Sequence, residues 1–131
     1  MRRYWLCLPP VLASLGDCAV TTLGQPAEYW AGQYDAASEA NPFVRFFMVI
    51  HPTAFHALTV VWIVAFCVVI MKLPPVLARM TSLCITFSHA FCAGTWLYLE
   101  PDGFVMSLAI CIASGIIYVG ADEMSRVDGT R

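Results

Sequence analysis

A chain of 131 residues has the length of one domain, yet 60% of it is hydrophobic, only 12% is charged and its mean hydropathy is +0.72. Soluble domains carry about 25% charged residues, so there is too little polar surface here to coat a water-soluble globule. The net charge of −2 comes without any basic run, which argues against nucleic acid as a partner.

The first apolar run, residues 4–24, follows Arg2 and Arg3 and is broken by Pro9-Pro10 and by Asp17. A basic start before an apolar stretch is also the pattern of a secretory signal, but no small-x-small cleavage site follows, and a carboxylate deep in the run is foreign to one. The expectation is an uncleaved first membrane helix, bent by its prolines and still able to span because neighbouring helices satisfy the freed carbonyls. Residues 25–51 make the longest connection. Glu28, Asp35 and Glu39 render it acidic, while Tyr29, Trp30 and Tyr34 are rings of the kind that settle at headgroup level, so this outer loop should lie along the membrane surface. Within it, Asn41 as cap and Pro42 as first helical residue open a short apolar helix over residues 42–50. Such a piece rises only about 14 Å, so it is interfacial or re-entrant and does not span.

Residues 53–71 contain no Lys, Arg, Asp or Glu and match the roughly 20 residues that carry a helix across a hydrocarbon core of about 30 Å. Pro52 opens this second span, and Lys72 with Pro74-Pro75 closes it. A third span covers residues 76–99, with Arg79 near its start and Trp96 and Tyr98 at its far end, and Glu100-Pro101-Asp102-Gly103 is a turn signal. A fourth covers residues 104–121 and leads into a polar, frayed tail, residues 122–131. The fold class is therefore all-α: a single polytopic membrane domain of four transmembrane helices in an antiparallel bundle, plus the short helix at 42–50. Arg2, Arg3, Lys72, Arg79, Arg126 and Arg131 fall on one side and only Arg45 on the other. By the positive-inside rule both termini face the cytoplasm, as in a bacterial inner membrane, and the acidic loop faces outward.

Polar residues inside the spans recur at helical spacing. Ser14, Asp17 and Thr21 share a face of the first span, His56 and Thr59 of the second, Ser82, Thr86, His89 and Cys92 of the third, and Ser107, Cys111 and Ser114 of the fourth. Counting inward from the outer helix ends puts Asp17 at about 10 Å, His56 at about 6 Å, His89 at about 15 Å and Ser107 at about 6 Å. Asp17, Thr21, His56, His89 and Ser107 are accordingly expected to form a polar cluster in the outer half of the membrane. An acid in a span is costly and needs a partner or a proton. Asp17 is thus either a proton or cation site, with His89, or a structural tie. His89 carries the donor chemistry of a metal or haem ligand, against the plainer role of an interhelical hydrogen bonder. His51 and His56 do not share a helix face and make a poor chelating pair. The six cysteines show no C-x-x-C spacing and read as small packing residues, since a disulfide would need a pair at matched depth. No cofactor is predicted, although haem or metal stays open.

The order of an intramembrane acid (Asp17), Gly24 to Trp30 as Gly-Gln-Pro-x-x-Tyr-Trp, then Glu39-Ala40-Asn41-Pro42 and His51-Pro52 before the next span resembles an uncharacterised family of small bacterial four-helix integral membrane proteins. The resemblance brings no activity with it. It implies that Asp17, Glu39, Asn41 and Pro42 act together, with the loop folding back towards Asp17.

No nucleophile–base pair, phosphate loop or zincin motif is visible, so no enzyme class follows. Beyond the lipid bilayer itself, the apolar helices and the small residues Ala109, Ala113 and Gly120 point to a membrane-protein partner or a homo-oligomer, with the chain as accessory or scaffold subunit. The alternatives are a proton- or cation-conducting protein using Asp17 and His89, and a haem- or metal-bearing redox subunit.

Overall fold

The computed structural model describes residues 3–98 and 101–127. Among these there is no strand, and four helices of 21 to 25 residues are long and apolar enough to cross a membrane. The chain is an all-α membrane protein.

The first span has two parts. A 3₁₀ turn, Arg3–Cys7, leads into helix α1, Leu8–Leu23, with Pro9 and Pro10 in its first turn, where the missing N–H groups have no intrahelical partner to lose. The proline effect expected as a bend is realised as this change of helix type. A single turn, α2 (Ala27–Trp30), ends in a paired C-cap: Gln33 N–H donates to Glu28 O and Gly32 N–H to Tyr29 O, with Gly32 at φ 95°. Helix α3, Pro42–Ile50, starts where Asn41 Oδ1 accepts from the amides of Phe43 and Val44. After one extended residue, His51, helix α4 (Pro52–Lys72) begins, capped by the His51 ring, whose Nδ1 accepts from Thr53 N–H. Helix α5 spans Pro75–Leu97 and α6 spans Gly103–Val127. Leu99 and Glu100, where the third span and the following turn were expected to meet, lie outside the described residues, as do residues 128–131.

Helix α6 runs beyond the expected end of the fourth span at 121. Its last turns are held in place: Asp122 Oδ1 meets Arg79 Nε at 2.8 Å, Asp122 Oδ2 meets Arg126 Nη2 at 2.6 Å, and Ser125 is fully buried. The polar stretch at 122–127 is helical, with Asp122 paired one turn away to Arg126 and across to Arg79 on α5.

Helix α5 is the hub. Ala78, Ser82, Thr86, Ala90, Ala93 and Gly94 form its buried stripe, and small side chains at this spacing let helix backbones approach closely in the absence of a hydrophobic driving force. Helices α1 and α6 each pack chiefly on α5, whereas α4 packs less closely and meets α3, the Arg3–Cys7 turn, α5 and α1 to similar extents. Gly94 marks the α5–α6 crossing, where an added Cβ would press on Ser107 at 3.3 Å. Large buried side chains gather at the two ends: Leu6, Phe66 and Ile70 at the end carrying Arg3, Lys72, Arg79 and Arg126, and Tyr29, Met48 and Phe55 beneath the 25–51 loop.

Candidate functional site: an Asp–His–Trp chain across three helices

The loop end is tied down by side chains reaching backbone carbonyls. Buried Gln25 donates from Nε2 to Thr21 O and Ser38 O and accepts at Oε1 from Ser38 N–H. Arg45 donates to Asp35 O and Ala37 O, and Tyr29, 1% exposed, donates its hydroxyl to Met48 O at 3.2 Å. Burial pushes the Tyr29 phenol above its ordinary range, with Tyr34 nearby adding to the effect. Glu39 Oε1 accepts from Asn41 N–H at 2.7 Å, so Glu39, Asn41 and Pro42 meet locally as a helix-start motif. Among the described residues no hydrogen bond or ion pair joins them to Asp17.

Within the spans, Asp17 on α1 and His89 on α5 come together: His89 Nδ1 lies 2.8 Å from Asp17 Oδ2, with side-chain exposures of 22% and 17%. A third member completes the arrangement. Trp62 on α4 donates its indole N–H to His89 Nε2 at 3.0 Å. An indole nitrogen can only donate, so Nε2 must accept, and the imidazole proton therefore sits on Nδ1 and donates to the carboxylate. The network thus assigns the His89 tautomer, and one hydrogen-bonded chain, Trp62 to His89 to Asp17, links α4, α5 and α1. Inside a membrane such a chain both satisfies an otherwise orphaned carboxylate and joins three helices that share few other polar contacts.

The remaining members of the expected cluster are placed elsewhere. Thr21 is buried at the end of α1, where its carbonyl receives Gln25. His56 Nε2 lies 3.3 Å from Thr22 Oγ1; because that hydroxyl already donates to Cys18 O, the His56 ring is the donor. Ser107 directs its hydroxyl at Gly94 O (2.8 Å) and Gly103 O (2.7 Å) and so belongs to the α5–α6 seam. On α5, Ser82 donates to Leu6 O and Thr86 to Ser82 O, so the stripe leading to His89 is structural at its lower turns.

Trp62 carried a legible signal. Membrane tryptophans favour the headgroup level, whereas Trp62 stands ten positions into α4, about 15 Å from its start, where an indole N–H has no water to bond. A mid-span Trp demands an acceptor on a neighbouring helix. Among the described residues no three His, Cys, Asp or Glu side chains converge as a metal-holding group, and a ligand at His89 Nε2 would first have to displace Trp62. Compared with protein families, with curated proteins and with solved structures, the chain matches none of them.

Proposed function

We propose that this chain is an accessory or scaffold subunit that works by packing its open helix faces against another membrane protein or a second copy of itself. The observation that carries the reading is the outer face of α6. Ala109, Ala113, Ile116 and Gly120 share one side of that helix and all are exposed, and a Cβ added at Gly115 or Gly120 would meet nothing. Without partners, the fourth span contributes little of its own surface to the bundle. Small residues on an uncovered span are what close helix association uses. The basic end, with Arg3, Lys72, Arg79 and Arg126, supports a cytoplasmic placement of both termini in a bacterial inner membrane. The exposed Phe43, Phe46 and Ile50, on one side of α3, suit an interfacial helix at the other face. Four-helix proteins with an intramembrane acid and the Glu39–Pro42 motif are the group to which we assign it.

Mild-detergent purification with intact-complex mass spectrometry tests the reading. A stoichiometric partner or dimer is expected, lost in Gly120→Leu and retained in Val119→Leu, a position exposed on a different side of the same helix; a monomer without partner would overturn it.

A second reading rests on the Asp17–His89–Trp62 chain, which is also the arrangement of a proton- or cation-handling site. Reconstituted vesicles carrying a pH gradient should then dissipate it faster than empty vesicles, and Asp17→Asn should return the rate to that of empty vesicles. Equal leakage with and without the protein would remove this reading.

A further inference from the structure

The Asp17–His89–Trp62 chain leaves one acceptor open. Asp17 Oδ2 receives the His89 Nδ1–H bond at 2.8 Å, while Oδ1 receives none among the described residues. With Nδ1 donating and Nε2 accepting from Trp62, the imidazole is neutral, so a carboxylate here has no counter-charge. Among the described residues His89 is the one group within ion-pair distance of it, and Arg79 and Arg126 are engaged with Asp122 at the other end of the bundle. Neither α6 nor the Arg3–Cys7 turn, within the same residues, supplies it with an ion-pair partner. Of the other titratable groups nearby, Cys92 on α5 lies within electrostatic reach of Asp17 and of Glu39 in the loop. Cys18 on α1 accepts from Thr59 of α4, and His56 of α4 is turned to Thr22. None of them neutralises Asp17, and a lone charge inside a span is costly.

We propose that Asp17 Oδ1 is a one-proton binding site and that Trp62 is the positioning residue that keeps the proton off His89. Two atoms compete for it, Nε2 of His89 and Oδ1 of Asp17. On Nε2 the proton sets two N–H donors head to head across the 3.0 Å that a hydrogen bond now bridges. Both donors then lack an acceptor where no water replaces it. On Oδ1 it breaks nothing, because Oδ2 still accepts from His89 Nδ1–H, and the whole chain becomes neutral. A metal cation fits this position less well, since hard cations gather several oxygen ligands at once and Oδ1 is the one carboxylate oxygen the chain leaves open. A ring without an N–H in place of Trp62 frees the Nε2 lone pair. The proton then passes to the imidazole, and an ion pair of Asp17 and His89 replaces the neutral pair. This inference rests on the second reading above for any use of the proton. Vesicle leakage tests that use, whereas the position of the proton is read at equilibrium, so either can fail without the other.

The full-length protein in vesicles, carrying His51→Asn and His56→Gln so that one imidazole remains, gives the test. Infrared difference spectra and nitrogen NMR spectra of ring-labelled histidine are recorded from about pH 9 down to about pH 3, which brackets the ordinary imidazole and carboxyl ranges. The expected first change on acidification is a carboxylic-acid carbonyl band that Asp17→Asn removes, while His89 is still neutral with its proton on Nδ1. In Trp62→Phe the order reverses: the imidazolium signal of His89 comes first and the Asp17 carboxylate persists beside it. Imidazolium that precedes the Asp17 band with Trp62 in place would overturn the proposal, as would an Asp17 carboxylate that persists through the whole range. A band displaced by sodium at fixed pH would overturn it too, by making the ligand a metal cation. These measurements decide where the proton sits even if Trp62→Phe does not fold, and a folded Trp62→Phe protein whose proton stays on Asp17 would refute the role of Trp62.

Discussion

Individual side chains in this protein satisfy backbone and ring nitrogens that lipid cannot, and their removal should show it. Asp17→Ala strips the acceptor from His89 Nδ1–H; an unpaired buried donor costs about 1–3 kcal/mol. Asp17→Asn, which offers a carbonyl oxygen in the same place, should lose clearly less when unfolding is followed by titration with a denaturing detergent. Equal losses would show that the acceptor is not what matters. Ser14 is the converse case: it is buried and its hydroxyl has no partner among the described residues. Ser14→Ala should therefore raise stability by about 1 kcal/mol, since it removes a desolvated polar group without opening a large void. A loss would mean that the hydroxyl bonds to something in the membrane-embedded protein. Tyr29 gives a pH signature. Burial raises its phenol above the ordinary tyrosine value of about 10, so the folded state holds this proton more tightly than the unfolded chain. The resulting stability is complete below pH 10 and is lost as pH rises through the higher folded value. Ultraviolet titration should show the Tyr29 phenol ionising late, and Tyr29→Phe should remove its share of the late absorbance change.

At the scale of the element, the loop helix and the α5–α6 seam depend on single positions. Asn41→Ala removes both bonds that start α3 and should cost about 1 kcal/mol, whereas Asn41→Asp should keep the helix. Protease accessibility of the 25–51 loop reports the difference. At Gly94 any Cβ presses on Ser107, so Gly94→Val should push α6 off α5 and also disturb the Ser107 bond to Gly94 O. Cysteine cross-linking between the two helices would report this, and unchanged cross-linking would refute it. The spans were legible because apolar runs of membrane length with at most one charge each leave no other reading. Helix α3 was legible because an Asn-Pro start and a His-Pro stop bracket it. The extension of α6 was not, since the charges at 122–126 read as a solvated tail until Arg79, on another helix, is known to face them.

For the molecule as a whole, the same contrast holds at the site. That Asp17 requires a partner follows from its place in a span, and His89 is the partner the sequence reading offers; that His56 turns to Thr22 instead follows only from how the helices pack. Trp62 escaped because aromatic residues in apolar runs read as lipid-facing. His56 and Ser107 have the wrong azimuth, which periodicity within one helix cannot fix relative to the next, whereas Thr21 shares the Asp17 face but sits one turn further along α1, against Gln25. The pairing also has a consequence in time. Asp17 and His89 are 72 residues apart in the chain, and at synthesis rates of about 5–20 residues per second the first span precedes its partner by about 4–14 s. Throughout that interval a lone carboxyl faces hydrocarbon with neither α5 nor the Trp62-bound imidazole to receive it. The nascent first helix must therefore wait in a sheltered place, at the insertion machinery or at the lipid boundary, and biogenesis of this small protein should be unusually sensitive to slowed translation between α1 and α5.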